Sequence, residues 1–222
     1  MVCESYPLVA PAQPVYNVKL KDEFWLKDNK YSLYDMFDAN EVKDGLKYAK
    51  LFEGGTVFQA FLDPWTYHHW NSPVSWIIED TYPIDGCYYL QNPGLIDPEQ
   101  KDKYMNSQPF LSCTSTRRIY IIKADNPKIG YVGIIQIGMV EVSSAVSKVE
   151  KNCHVNKGDE IGHFEFGGSS HAVLFQKHCI LDFSRNIEKS FYMDPKINAL
   201  NSRKVLINKE LATVRNVLPP EQ

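Results

Sequence analysis

The sequence predicts a mostly β fold with a few short helices. Two apolar segments, Arg118–Ala124 and Tyr131–Val142, read as strong strands, and the second is nearly continuous in isoleucine, valine and glycine. Such a run is typical of a buried strand. The chain has 222 residues, no internal repeat and no low-complexity tract. A single domain with an ample core follows from that length.

The first part of the chain is expected to alternate strands with one short helix. Val15–Leu26 alternates enough to form a pair of strands. Ser32 predicts the start of a helix, because its hydroxyl can cap the first turn and Asp35 stands at the capping-box position. Thr56–Leu62 and Val74–Ile78 then read as strands.

The second part is expected to add a long loop and a hairpin. Residues 92–110 place prolines and a glycine among charges, which predicts a long loop. Val146–Cys153 is expected to pair with a strand that begins at Ile161. A helical turn over residues 194–200 and a last strand over Lys204–Ile207 complete the prediction.

Composition excludes several classes of function. Hydrophobic residues are 44% of the chain and aromatic residues 13%, which indicates a globular protein. The net charge is −3, and no basic stripe or polybasic run favours nucleic acid or anionic lipid. No apolar run approaches the roughly 20 residues of a membrane span, so we expect no stable membrane insertion. The N-terminus shows no secretory signal, and we predict a cytoplasmic location.

The cysteine and histidine patterns predict neither disulfides nor a metal site. The five cysteines form no C-x-x-C pair, and their odd number does not suggest a disulfide framework. A reduced, cytosolic chain is the simplest interpretation. Adjacent His68 and His69 would point to opposite faces of a strand, which makes them a poor chelate. We therefore predict no metal.

The most unusual segment is the step Gly167-Gly168-Ser169-Ser170. Apolar residues flank it on both sides, so that Ile161–Phe175 reads as one buried strand with glycines in its middle. Glycine inside a strand loses packing and entropy and so requires a reason. A β-bulge is one interpretation. The other is chemical: the glycines permit a strained backbone in which the Ser169 hydroxyl meets the carbonyl of Gly168, which is the geometry for self-cleavage.

Three segments in order carry a family resemblance. The glycine-serine step, its lead-in Lys157-Gly158-Asp159-Glu160-Ile161-Gly162 and the upstream Tyr67-His68-His69-Trp70-Asn71-Ser72-Pro73-Val74 together resemble the phosphatidylserine decarboxylase family. The likeness is closer to its fungal branch, which decarboxylates soluble amino acids such as tryptophan. It extends over nearly the whole chain, and the glycine-serine and Tyr-His segments are its specific motifs.

The resemblance implies a self-processing enzyme. A phosphatidylserine-decarboxylase-like domain over 1–222 would be made as a zymogen and cut within a strand into a β chain, 1–168, and an α chain, 169–222. Ser169 would become a pyruvoyl group, which accepts electrons when an amine-bearing acid loses carbon dioxide. We expect a soluble small-molecule substrate and a place in secondary metabolism, and a homo-oligomer stays open.

The catalytic residues carry over one by one, with one departure. Besides Gly168 and Ser169, His68 matches the family's first histidine, which serves substrate chemistry. The second, which activates the serine, is Asn71 here, and an amide cannot accept a proton at neutral pH. His69 stands where the family usually has arginine and is a substitute base. Glu4 is the nearest match to the family's N-terminal aspartate.

Substrate contacts are expected from aromatic and polar neighbours. Tyr67 and Trp70 could line an apolar pocket, although such aromatics are more often core or rim. Arg117 could bind a carboxylate, or it is a strand-end surface arginine. Ser170 is a hydrogen-bonding neighbour of the site, and His171 is a spare base if it faces inward.

Three other functions stay open. The chain is an unprocessed, non-catalytic relative with a binding role if Asn71 prevents cleavage. It is a phosphatidylserine decarboxylase if it acts on lipid, although it shows no membrane-anchoring segment. The hairpin around Lys157 also resembles biotinyl and lipoyl domains, but nothing else of that motif is present.

Overall fold

A computed structural model describes about two thirds of the chain. The described residues are 7–8, 13–21, 24–26, 29–62, 67–88, 108–139, 144–165, 169–179, 181–184, 205–206 and 210–215.

Strands dominate the described residues, as the sequence predicts. In chain order they are β1 (Pro7–Leu8), β2 (Gln13–Tyr16), β3 (Phe24–Leu26), β4 (Asn29–Tyr31), β5 (Thr56–Leu62), β6 (His69–Asn71), β7 (Trp76–Ile84), β8 (Arg117–Ala124), β9 (Tyr131–Gly138), β10 (Ser144–Ser147), β11 (His154–Val155), β12 (Glu160–Glu165), β13 (Ser169–Phe175), β14 (Leu181–Phe183), β15 (Val205–Leu206) and β16 (Ala212–Val214). The helices are α1 (Leu33–Met36), α2 (Gly45–Leu51) and α3 (Gln108–Thr114).

Two sheets position the candidate site. The larger has seven strands in the order β11-β7-β8-β9-β13-β5-β2, and the smaller has three in the order β10-β12-β6. Every pairing in both sheets is antiparallel. Three two-stranded pairs, β1-β15, β3-β4 and β14-β16, accompany them.

Helices α1 and α2 cover one face of the larger sheet, which we call the helix-covered face. Its core brings Met36 and Phe37 against strand residues such as Ile119, Ile135 and Leu174. Helix α1 begins as predicted, because the Ser32 hydroxyl accepts a hydrogen bond from the Asp35 amide at 3.1 Å. That cap satisfies one of the free amides of the first turn.

The smaller sheet packs on the opposite face of the larger sheet. Trp70 of β6 is its main contact: the indole meets Phe164 edge-on with ring centroids 4.7 Å apart, and it meets Tyr120 of the larger sheet at 6.0 Å. Gly162 makes this approach possible, because a Cβ there would lie 2.4 Å from the Val146 carbonyl oxygen and 2.6 Å from Trp70. We call the side of the smaller sheet that faces away from this core its outer face.

The segment Ile161–Phe175 is two strands rather than one, which corrects the sequence prediction. Strand β12 ends at Glu165 in the smaller sheet, and β13 begins at Ser169 in the larger sheet. Both strands bury apolar residues, so the local pattern is the same in each. The glycine pair therefore lies where the chain passes from one sheet to the other.

Several other predictions have definite outcomes. The strand Thr56–Leu62 is confirmed residue for residue. Of Val146–Cys153, only Val146 and Ser147 pair with the strand from Ile161, because β10 spans Ser144–Ser147. Val15–Leu26 is not a strand pair, because β2 pairs with β5 and β3 pairs with β4. The predicted loop overlaps α3 at its end, and β16 follows the strand that we expected to be last. Residues 194–200 lie outside the described part.

The described helices are short, and the described cysteines are unpaired. None of these helices has the length and apolar character that crossing a bilayer requires. Cys87, Cys113, Cys153 and Cys179 are free thiols. Burial raises the pKa of the Cys113 thiol to about 12, which is typical of an inert, structural cysteine.

Candidate active site

Ser169 is held in the middle of the larger sheet. It is the first residue of β13, and it pairs with Leu62 of β5 on one side and Gly138 of β9 on the other. Ladder pairing on both sides fixes the backbone at this position. Gly138 has no side chain, so this neighbour adds no Cβ beside residue 169. Gly168 lies outside the described residues.

Ser170 lies on the helix-covered face. It is fully buried, it pairs with Ile137, and its hydroxyl has no hydrogen-bond partner among the described residues. Ala172 and Leu174, which alternate with it along β13, belong to the core under the helices. The predicted role of Ser170 beside a substrate stays a prediction, and its surroundings are those of a packed core residue.

His68 and His69 point to opposite sides of the smaller sheet, as their adjacency predicts. His68 is 8% exposed, and its carbonyl accepts the Phe164 amide at 2.9 Å. His69 is 43% exposed and lies on the outer face. A buried and an exposed histidine thus stand next to each other at the positions that the sequence motif singles out.

His69 belongs to a polar cluster on the outer face. Its Nδ1 is 2.5 Å from Glu160 Oε1, and Lys148 Nζ is 2.6 Å from the same oxygen. The His163 ring stacks on His69 with centroids 5.2 Å apart. The hydrogen bond from Lys148, and next that from His69, lowers the pKa of the Glu160 carboxyl below its ordinary value.

Asn71 is engaged at the edge of the same cluster. Its amide nitrogen donates to the Gly158 carbonyl at 2.9 Å, and its oxygen accepts the Tyr67 hydroxyl at 3.1 Å. Tyr67 in turn stacks on His69 with centroids 5.0 Å apart. Gly158 has a φ of +94°, so the carbonyl that holds Asn71 belongs to a turn that favours glycine.

Arg117 is a buried anchor for helix α1. Its guanidinium donates to the carbonyls of Met36, Ser115 and Asp35, each at 2.9 Å. Burial lowers the pKa of Arg117. These contacts join the end of α1, through Met36 and Asp35, to Ser115 just before β8. They favour a structural role, and a carboxylate-binding role for Arg117 stays a prediction.

His171 is a weak base in this environment. Desolvation lowers its pKa to about 4, so the ring is neutral at physiological pH. It pairs with Ala60 and Gln136 across the ladders. A base of such low pKa removes a serine proton poorly near neutrality.

The structure brings some of the predicted residues together and separates others. Tyr67, His69 and Asn71 meet on the outer face of the smaller sheet, whereas Arg117 and Ser170 lie on the helix-covered face of the larger sheet. Trp70 is 3% exposed and packs in the core between the sheets. Glu4 lies outside the described residues.

Sequence reasoning missed Glu160 and His163. Glu160 is part of a segment that carries the family resemblance and His163 directly follows it, but the two stand three residues apart on a strand. A regular strand would send them to opposite faces. A β-bulge between Glu160 and Gly162 changes that alternation, and the sequence gives no clear signal for it apart from the glycine itself.

A shallow groove of about 640 Å³ lies elsewhere on the surface. Its lining includes Trp76, Tyr131, Gln176 and His178, near the end of β13 opposite to Ser169. At about 3.3 Å per residue, the length of β13 separates the groove from Ser169 by roughly 20 Å. The groove is therefore not the place where Ser169 would meet a substrate.

The model of one protein family matches nearly the whole chain. Residues 8–206 match the family model described as phosphatidylserine decarboxylase. The chain belongs to the phosphatidylserine decarboxylase family. The resemblance seen in the sequence is thereby confirmed, and it covers both sheets and the glycine-serine step.

Curated relatives include fungal decarboxylases and bacterial proenzymes. Decarboxylase iboD of Amanita muscaria is 38% identical over 210 residues, which are 90% of this chain and 57% of that protein. L-tryptophan decarboxylase of Psilocybe cubensis is 34% identical over 170 residues, 74% of this chain and 37% of that protein. Phosphatidylserine decarboxylase proenzyme of Fusobacterium nucleatum is 30% identical over 187 residues, which are 81% of this chain and 57% of that protein. The chain thus spans about half the length of the curated relatives it matches.

Proposed function

We propose that this protein is a pyruvoyl-dependent decarboxylase of a soluble amino acid or a related amine-bearing acid. It would make its own cofactor by cleaving the chain between Gly168 and Ser169. The observation that carries the proposal is the place of Ser169, which directly follows two glycines and begins the strand at which the chain enters the larger sheet.

The cleavage needs only atoms of the chain and one water. The Ser169 hydroxyl loses its proton to a base and attacks the Gly168 carbonyl, so that the peptide bond is replaced by an ester and the Ser169 nitrogen becomes a free amine. Elimination then removes the Cα proton of residue 169, forms a Cα=Cβ double bond, breaks the bond between Cβ and the ester oxygen and releases the Gly168 carboxylate. Water replaces the nitrogen of the remaining enamine, ammonia leaves, and residue 169 becomes a pyruvoyl group.

The two products would stay together in one domain. Residues 169–175 pair along their whole length with β5 and β9, which both belong to the other product. The apolar core on both faces of β13 joins the products further. The new group at residue 169 would therefore remain at the start of a fixed strand after the cut.

The pyruvoyl group, once formed, supplies a ketone that condenses with the substrate amine and accepts the electron pair left by carbon dioxide. The chain's own residues must hold the substrate and move protons. His68, buried beside the core, is the residue that we assign to proton transfer. Tyr67 is half-buried next to it and is the candidate contact for an aromatic side chain. A cytoplasmic location and a homo-oligomer remain expectations.

A free amino acid is favoured over a phospholipid as the substrate. Two relatives at 34–38% identity carry the names decarboxylase iboD and L-tryptophan decarboxylase. The composition shows no basic face for an anionic membrane. The test is carbon dioxide release from tryptophan, tyrosine and phenylalanine, compared with phosphatidylserine in micelles. Turnover of the lipid alone would overturn the substrate assignment.

Controls for that assay address the cofactor. Hydroxylamine, which reacts with ketones, should abolish the activity of the wild-type protein. Ser169→Ala should have no activity before or after the reagent is added. Activity that survives both would show that the reaction does not use a group made from Ser169.

An unprocessed binding relative is the second candidate, and Asn71 favours it. Both polar ends of the Asn71 amide are already engaged, and an amide is no base. If no other group replaces it, Ser169 keeps its proton and the chain stays whole. Purified protein that runs as one species and releases no carbon dioxide would establish this alternative.

A further inference from the structure

The polar cluster on the outer face contains three groups that suit a metal ion. His69 comes from β6, and Glu160 and His163 come from β12. One ligand atom from each can be chosen so that all three lie within 4.8 Å of one another. Ligands about 2.1 Å from a common ion lie roughly 3.4 Å apart when the arrangement is tetrahedral. His69 is exposed and the other two are half-buried, so small side-chain rotations would close the site.

A β-bulge creates this arrangement. Glu160 pairs with Asn71, Gly162 pairs with Trp70, and His163 pairs with His69, so that one residue of β12 is extra. The extra residue places Glu160 and His163 on the same face, beside His69. Without it, either the carboxylate or the imidazole would point into the core. Bulges that redirect a side chain in this way are frequent beside functional sites.

One ring nitrogen of His163 is buried without a hydrogen bond in the described part of the chain. Its Nδ1 is inaccessible to solvent and has no hydrogen-bond partner among the described residues. A buried polar nitrogen with no partner costs free energy, and a metal ion is one group that would satisfy it. His69 makes more contacts than His163, since the Tyr67 ring stacks on its imidazole and its Nδ1 contacts the Glu160 carboxylate.

We propose that His69, Glu160 and His163 bind one divalent zinc ion on the outer face of the smaller sheet. Two imidazoles and one carboxylate are a ligand set that zinc accepts, and a solvent molecule would complete four-coordination. This inference is independent of the proposed decarboxylase activity. It departs from the expectation from sequence that the chain binds no metal.

Lys148 contacts the carboxylate that the ion would bind. Its ammonium lies 2.6 Å from Glu160 Oε1, and its side chain is 46% exposed. In the absence of a metal, the ammonium supplies the positive charge that the carboxylate attracts. An exposed lysine moves away at little cost. Lys148 therefore competes with zinc without preventing its binding.

The test is zinc binding by the full-length Ser169→Ala protein, which stays a single species, after treatment with EDTA. Isothermal titration with zinc sulfate should give one ion per chain. His69→Ala and Glu160→Gln should each weaken binding by about 10-fold or more. Lys148→Met should strengthen it about 3- to 5-fold, because the competing charge is gone.

Two further measurements keep the result interpretable. His163→Gln should weaken binding as His69→Ala does, and circular dichroism should show that each variant is folded. His154→Ala, an exposed histidine next to Trp76, is the matched control and should bind zinc like the parent protein. Equal affinity in the parent, His69→Ala and His163→Gln, or no binding by the parent, would overturn the proposal.

Discussion

The helix-covered face of the larger sheet and the outer face of the smaller sheet hold their polar side chains in different ways. On the helix-covered face, Arg117 is buried and its guanidinium donates hydrogen bonds to three backbone carbonyls. On the outer face, His69 and Glu160 are partly exposed and contact other side chains that can move. A polar group that is fully engaged with backbone serves the fold, whereas one that meets titratable neighbours in reach of solvent is available for chemistry.

Replacing Arg117 should give the largest change. Arg117→Met removes the donor to the Met36 and Ser115 carbonyls and one of the two donors to the Asp35 carbonyl. Each buried group left without a donor costs about 1–3 kcal/mol, so we expect a loss of about 2–5 kcal/mol in the free energy of unfolding. Urea denaturation of the full-length Ser169→Ala protein measures it. Arg118→Met, which loses one bond to the Ala145 carbonyl, is the control and should cost about 1 kcal/mol. A stable Arg117→Met protein with a raised KM would instead identify Arg117 as a carboxylate ligand.

Asn71, on the outer face of the smaller sheet, provides the second test of the comparison. Asn71→His should increase the rate of chain cleavage by about 100-fold, because the family resemblance assigns to this position the base that takes the Ser169 proton, and a general base contributes at least that much. The measurement is the fraction of whole chain against time on a denaturing gel. Asn71→Gln keeps an amide and should leave the rate unchanged. Equal rates in the wild type and Asn71→His would show that another group, such as His69, already acts as the base.

His171 should make the stability depend on pH. Its folded pKa of about 4 lies below the ordinary 6.5, so the unfolded chain binds the proton first as the pH falls. The stabilisation is complete above pH 6.5 and is lost progressively as the pH falls towards 4. We expect this loss to be about 2 kcal/mol larger in the parent protein than in His171→Gln, after allowing for the partial exposure of the ring. Identical pH profiles for the two proteins would contradict the burial of His171, and His154→Gln should behave like the parent.

Ser170 should give the smallest change, with the opposite sign. Its buried hydroxyl has no partner among the described residues, so Ser170→Ala removes a desolvated group and should stabilise the fold by about 1 kcal/mol. The midpoint of urea unfolding measures this. A destabilised variant would mean that the hydroxyl has a partner and that Ser170 contributes more than packing.

Local signals predicted much of the fold. The Ser32–Asp35 cap and the strand Thr56–Leu62 depend on neighbours in sequence, and both are confirmed. The passage from β12 to β13 was not predictable, because apolar residues on both sides look alike whether they enter one sheet or two. The partner of β2 was equally unpredictable, since β5 follows only after α1 and α2 and tertiary packing brings the two strands together.

The candidate site was predictable only where a motif names its residues. His68, His69 and Asn71 stand in a segment with a family pattern, and Ser169 follows two glycines. Glu160 and His163 were not predicted as site residues, because a β-bulge rather than regular strand spacing brings them together. The hydrogen bonds of Arg117 were not predicted, because its partners Met36 and Asp35 lie about 80 residues earlier in the chain.

The intact mass of the purified wild-type protein tests the central claim most directly. We predict two species, residues 1–168 and residues 169–222, the second blocked at its N-terminus and lighter by one ammonia than a fragment with a free serine amine. Ser169→Ala should give only the whole chain. A wild-type protein that stays whole after prolonged incubation, together with a whole Asn71→His variant, would contradict cleavage between Gly168 and Ser169.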